Sequence, residues 1–276
     1  MNFVARFIRS PEGIAGLVLL SLLAAAALLA PVFFPGDPLA IEGRPLLRPF
    51  EHPGLPLGTD RLGRDVMAEL FHGARASMIV GISAAAVAIL VGALVGTLAG
   101  FGGGLIDEAL MRVVEAFQIV PGFLLALAFV SVVGPSLTVV VIAIALGSWT
   151  GPARLARAEV LSIRERDFVA AARVIGMHPL EIAVKEVLPL ALPPVMALTS
   201  VIVAGAVLTE AALSFLGLGD PNIVTWGSMI AEGRNVLRSA AYLSIVPGLG
   251  LVALVLGVYL FGEGLVEALA RREGQG

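Results

Sequence analysis

The sequence has no cysteine, which excludes a disulfide framework and any thiolate metal site. It has one lysine, Lys185, and that residue does not follow the glycines of a phosphate-binding loop, so the chain is not itself an ATPase. Charge is scarce: 14% of the 276 residues are Asp, Glu, Lys or Arg, where a soluble domain of this size carries roughly a quarter. The net charge of −3 gives no reason to expect nucleic acid. His52, His72 and His178 lie far apart, without the spacing or carboxylate company of a metal site, and read as ordinary polar residues.

Long apolar runs are what the chain has instead. Residues 13–36, 76–106, 116–153, 187–209 and 239–262 contain no charged residue, and each is long enough to cross a hydrocarbon core as helix. The block 116–153 is too long for one crossing of a core about 30 Å thick, so it divides into two at Gly134-Pro135-Ser136. This predicts an all-α integral membrane protein with six transmembrane helices near 14–34, 77–101, 117–133, 137–153, 190–208 and 242–261. A 58% hydrophobic composition agrees. The first apolar run exceeds the 7–15 residues usual for a signal peptide, so despite Arg6 and Arg9 it is expected to remain as an uncleaved span. With the amino terminus inside, eleven of the eighteen Lys and Arg fall on the inner side, counting Arg6, Arg9, Arg112, Arg271 and Arg272, which mildly favours cytoplasmic termini.

Charge concentrates in one internal island, residues 154–189. Asp167 is placed to cap a short helix that Gly176 ends, Pro179 suits the first turn of a second, and Leu188-Pro189 marks the start of the fifth span. Two readings fit these residues. The slim face of Ala170, Ala171 and Ala172, with Arg164, Glu165, Arg166 and Arg173 as a polar rim, suits docking into a partner's groove. Equally, any loop of this length folds into a surface helical hairpin.

Ala171-Ala172, Gly176 and Leu188-Pro189, at this spacing, resemble the coupling-loop signature of ATP-binding-cassette importer permeases. The surrounding Asp167-Phe168-Val169 and Arg173 are similar to the dipeptide, oligopeptide and nickel branch, as is a second segment before the second span, Gly58-Thr59-Asp60 with Gly63-Arg64-Asp65. Ser10-Pro11-Glu12-Gly13 and the broad outer loop resemble the C-type subunit of these heterodimeric permeases. In one departure, Ala170 stands where the general signature opens with an acidic residue. The resemblance implies a tail, first helix and outer loop over 1–75, a five-helix permease core over 76–270 with its cytoplasmic coupling loop at 154–189, between the fourth and fifth helices, and a tail at 271–276. It implies a bacterial inner-membrane importer whose partners are a B-type permease, two ATPase subunits and an external solute-binding protein. No cofactor is expected on this chain, and ATP and magnesium are expected on the ATPases. The coupling role falls on Asp167, Ala171, Ala172, Arg173, Gly176, Leu188 and Pro189. The histidines lend no support to a nickel cargo.

Independently, the six expected spans lack midspan ionisable groups, so they do not resemble those of a proton or sodium carrier, and energy must arrive through a surface. An ion-gradient carrier or channel acting alone, and a membrane scaffold or receptor, are the competing classes. Gly92, Gly96 and Gly100 line one helical face and predict close packing of another helix. Pro193-Pro194 should bend the fifth span. Thr199, Ser200 and Thr209 either face a path or bond back to their own helix. Asp65 to Arg75 can form an amphipathic lead into the second span, and the Gly- and Pro-broken segment 214–238 suits a re-entrant or interfacial element.

Overall fold

The computed structural model describes residues 7–270; Arg6, Arg271, Arg272 and the tail at 271–276 lie outside the described residues. Helix α1 (Pro11–Phe33) starts where Ser10 Oγ accepts from Gly13 N at 3.2 Å and Pro11 supplies a first-turn residue with no amide to satisfy. Helix α2 (Val66–Gly102) opens on Asp65, whose Oδ1 accepts from Met67 N at 2.8 Å. Its 37 residues make about 55 Å of helix, so the amphipathic lead is continuous with the span and projects beyond it.

The next three crossings are not straight. Helices α3 (Gly104–Ile119) and α4 (Gly122–Val133) meet at 83° across Val120 and Pro121, where proline cannot donate to the preceding turn. The turn at Gly134 falls where expected, and Ser136 then accepts from Val139 N to open α5 (Leu137–Ser148). Helix α6 (Thr150–Ile163) follows at 45°, so residues 154–163 of the charged island continue a membrane helix and are not loop. After α7 (Asp167–Val174), helix α8 (Pro179–Ala197) is continuous, and Leu188-Pro189 marks where its π turn gives way to regular α-helix, not where the helix starts. Its turn Ile182–Val187 is a wide π turn, with Leu188 N–H reaching back to Ala183 O. Pro189 offers no amide to Lys185 O, and widening is one way to relieve its ring against that carbonyl. Pro193 and Pro194 sit inside α8, and the 54° bend comes one turn later, at Leu198, before α9 (Thr199–Phe215).

Helix α10 (Trp226–Gly233) is set by a reciprocal cap between Thr225 and Ser228. Its Trp226 is buried, donating from the indole to Leu70 O at 2.9 Å and from the backbone to Ser77 Oγ at 3.2 Å, so the broken segment is pinned against α2. Helix α11 (Tyr242–Ala270) closes the fold against α1. Among the described residues three helices are long and apolar enough to cross a membrane singly, and the count rises to as many as six if each bent pair is one span.

Two seams hold the bundle at backbone distance. A Cβ on Gly96 would lie 2.2 Å from Ala153 O, and Gly92 and Gly100 face the same helix, so α2 packs on α6 as the glycine spacing predicts. A Cβ on Gly16 would lie 2.2 Å from Phe261 N, where α1 crosses α11. The spans also exceed the uncharged blocks: α9 continues past residue 208 and carries Glu210, buried within it, its Oε1 accepting from Ser214 Oγ at 2.6 Å. The expectation of spans free of ionisable groups is therefore corrected, because the charge-free run ended before the helix did.

Candidate functional site: the α6–α8 loop and the outer-loop knot

The α6–α8 loop is fixed from beneath. Val169 and Ala172, three residues apart and so on one helical face, pack with Val160, Ile163, Ile182, Val187 and Ala191. Arg164 Nη1 donates to Gly100 O at 2.7 Å, and the Arg173 guanidinium lies 5.6 Å from the Phe101 ring centre, so one rim arginine ties the end of α6 and the other ties α7 to the end of α2. Arg157 grips Asp107 with two bonds of 2.5 and 2.6 Å, tying α6 to α3.

Gly176, at φ 89°, ends α7 as expected: Met177 N donates to Ala172 O and Gly176 N to Arg173 O, both at 3.1 Å. Asp167 is not the cap. Arg166 holds that position with no side-chain bond, and Asp167 is the first helical residue, exposed, where a carboxylate complements the helix dipole. The alanine pair divides. Ala171 is exposed, whereas Ala172 is 7% exposed and belongs to the chain's own core. Leu188 is half-buried and Pro189 exposed.

Sequence reasoning did not single out Val174 and Ile175, which are 88% and 80% exposed, with Phe168, Leu180 and Val184 also exposed nearby. The signal was there: on an eight-residue helix, fixing Val169 and Ala172 inward leaves Ala171, Val174 and Ile175 outward. Large apolar side chains this exposed on a well-anchored helix are a surface for something to cover.

The other sequence-selected group forms a knot in the outer loop. Gly58 (φ 74°) and Gly63 (φ 87°) sit where a Cβ would fall 2.1 Å from Leu47 O and 2.3 Å from Gly43 O. Thr59 Oγ1 donates to Arg44 O at 2.5 Å and accepts from Leu47 N at 2.9 Å. Asp60 Oδ1 accepts from Leu62 N and Arg64 N, both at 2.8 Å. Arg64 lies 3.9 Å from Asp60, 3.7 Å from Glu69 and 3.6 Å from Glu232, joining the loop to α2 and α10. Tyr242 OH, from α11, donates to Leu47 O at 2.7 Å. Burial pushes the Asp65 and Glu232 carboxyls above their ordinary range. Glu232 and Tyr242 were not legible as partners, being far along the chain. The knot fastens the loop to α2, α10 and α11.

A family model described as binding-protein-dependent transport system inner membrane component matches residues 88–275. The di/tripeptide transport system permease protein DppC of Pseudomonas aeruginosa is 36% identical over 274 residues, 97% of this chain and 90% of that protein. The glutathione transport system permease protein GsiD of Pectobacterium atrosepticum is 32% identical over 269 residues, covering 97% and 89%. Among solved structures, inward-facing MetNI methionine ABC transporter matches with a TM-score of 0.58 at 18% identity, over 72% of this chain and 94% of that one, which bears on the fold alone. The chain therefore belongs to the family of binding-protein-dependent transport system inner membrane components, the permease subunits of ATP-binding-cassette importers.

Proposed function

We propose that this chain is the C-type permease subunit of an importer for peptides or similar small polar solutes, driven through α7. The observation that carries the reading is the exposed Val174 and Ile175 on a helix braced by Val169, Ala172 and Arg173. Relatives named for di/tripeptide and glutathione transport support a peptide-like cargo. The α7 end of the island at 154–189, between α6 and α8, faces the cytoplasm, as do both termini. Two ATPase subunits, which carry ATP and magnesium, receive α7 in a cleft. A B-type permease completes the path, and an external binding protein delivers the solute. Asp167, Ala171, Arg173 and Gly176 lie at the contact, Ala172 supports it from inside, and Leu188 and Pro189 pass its movement along α8. Residues 1–75 supply the first helix, the outer loop and the first turns of α2, the core over 76–270 performs transport, and the tail at 271–276 follows.

Because the chain has no cysteine, Ala171→Cys gives it a unique thiol. In an assembly competent for uptake this thiol should crosslink to an ATPase subunit, and Gly176→Arg should abolish uptake while leaving membrane insertion intact. Normal ATP-driven uptake by Gly176→Arg, or no ATPase adduct at Ala171→Cys, refutes the reading. Purified chain that moves solute without ATPases would point instead to a carrier.

A further inference from the structure

The breaks in two of the jointed crossings meet. Gly122, just after the α3–α4 break, and Gly147, just before the α5–α6 break, are so close that a Cβ on either would lie 2.9 Å from the carbonyl oxygen of the other. Beside them the Phe117 and Trp149 rings pack edge to face at 5.4 Å. Helices α4 and α5 have 12 residues each, about 18 Å of helix counted from the turn at Gly134, so both breaks lie within a hydrocarbon core about 30 Å thick. Ile119, Val120 and Pro121 are nevertheless exposed on this subunit. Backbone outside a helix is tolerated at membrane depth where protein covers it or where it lines water, not where it meets lipid.

A positive charge stands at the same place. Arg154, on α6 just past the break, is exposed, and its Nη1 donates to Gln118 Oε1 at 3.4 Å. Helical side chains lean towards the N-terminus, and Gln118 directly follows Phe117, so the guanidinium turns back towards the break and not out to the end of α6. The neighbouring arginines have carboxylates: Arg157 has Asp107, Arg112 has Glu115 and Arg164 has Glu165. Among the described residues Arg154 has only the neutral amide of Gln118. An ionised side chain within a membrane faces the bundle interior or a water-filled cavity and marks a route for substrate or ions. Phospholipid phosphates lie at the membrane surface, away from a side chain that leans towards the middle. Space is also kept beside it: Gly151 and Ala158, which share Arg154's face of α6, are small and exposed, and a Cβ on Gly151 would meet nothing within 4 Å.

We propose that Arg154 and Gln118 form a carboxylate-binding site in the translocation path, at the crossing of the two broken helices. The guanidinium donates two parallel bonds to a carboxylate of the passing solute, and the Gln118 amide, whose oxygen faces Arg154, donates a third from its nitrogen. Such a role rests on the peptide-like cargo proposed above, because a peptide with a free C-terminus carries this group.

The test uses the full importer assembly with its binding protein in vesicles, and trialanine and its C-terminal amide as probes, each at a concentration that saturates the binding protein. Arg154→Gln should lower ATP-driven uptake of the acid about tenfold relative to the amide, the lower end for a hydrogen bond to a charged group. The binding protein is the same in both assemblies, so a change in that ratio belongs to the permease. Arg154→Lys, which keeps the charge but loses the fork, should retain part of the preference for the acid. Gln118→Leu should shift the ratio in the same direction by less, and it replaces Arg154→Gln if that variant does not assemble. An unchanged ratio overturns the site. So does an equal loss of both probes, which would place a carboxylate of the second permease against Arg154. Uptake of neither probe by the unsubstituted assembly is a separate result, which overturns the peptide reading and this site with it.

Discussion

Replacing Val169 with alanine should loosen α7 without altering the surface it presents. Val169 is wholly buried among Val160, Ile163, Ile182 and Val187, so its truncation removes buried methyl surface and leaves a void that its neighbours fill only in part. At about 0.8 kcal/mol per buried carbon, plus a cavity contribution, the cost is about 2 kcal/mol. Since α7 is short and held mainly by this one face, the loss should fall on its attachment and not on the bundle as a whole. Backbone amides over 169–177 should then exchange with deuterium about thirtyfold faster in the full assembly, a factor that follows from that energy. Amides of α2 and α6 should be unaffected. Uptake per ATP hydrolysed should fall, because a loosely held helix yields before it transmits force. Ile175→Ala is the opposite case: the side chain is exposed, so exchange in the free chain should not change while ATPase affinity drops by about fivefold to thirtyfold, the range for a contact worth 1–2 kcal/mol. If Val169→Ala leaves exchange over α7 at its original rate, or Ile175→Ala accelerates it, the assignment of inner and outer faces is wrong.

Two further outcomes follow from packing and charge. Gly96→Ala places a methyl 2.2 Å from Ala153 O, a backbone atom that cannot swing aside, so the α2–α6 seam must separate; the assembly's melting temperature should fall and its yield on size exclusion should drop, whereas Ala at exposed Gly151 should leave both unchanged. Burial raises the Glu232 carboxyl above its ordinary value, so the folded state holds that proton more tightly than the unfolded chain, and the associated stability is present at acid pH and lost as pH rises through the folded value. Glu232→Gln should therefore flatten the fall in melting temperature as pH rises above the ordinary glutamate range; Asp65 has the same sign and remains in both proteins, so the difference reads Glu232 together with Arg64 and Glu69, which share its ion pairs.

Charge-free blocks pointed to six crossings, the number the described helices make if each bent pair counts as one, because a bilayer tolerates few charges at any depth. They did not reveal where α3–α4, α5–α6 and α8–α9 bend, since a broken helix and a straight one bury the same apolar residues. Nor did they mark the ends: Glu210 lies beyond the apolar run but within α9, shielded by packing that only the fold supplies. In the α6–α8 loop the motif located the helix and its Gly176 stop, since both depend on neighbouring residues. The division of Ala171 from Ala172 depends on which side of α7 meets Ile182 and Val187, a tertiary matter. The outer knot was legible in its glycines and in Asp65, while its anchors on α10 and α11 come from sequence too distant to suggest a contact.

Three crossings are jointed and α2 is not. Its first turn is gripped by Arg64 through Glu69, and its last turn lies under Arg164 and Arg173. One uninterrupted rod thus has the outer loop bolted to one end and the α7 bracket to the other. If α7 receives the push proposed above, α2 has no hinge along its length to absorb it, and a displacement of the α7 end should arrive at the knotted loop as a displacement of the same rod.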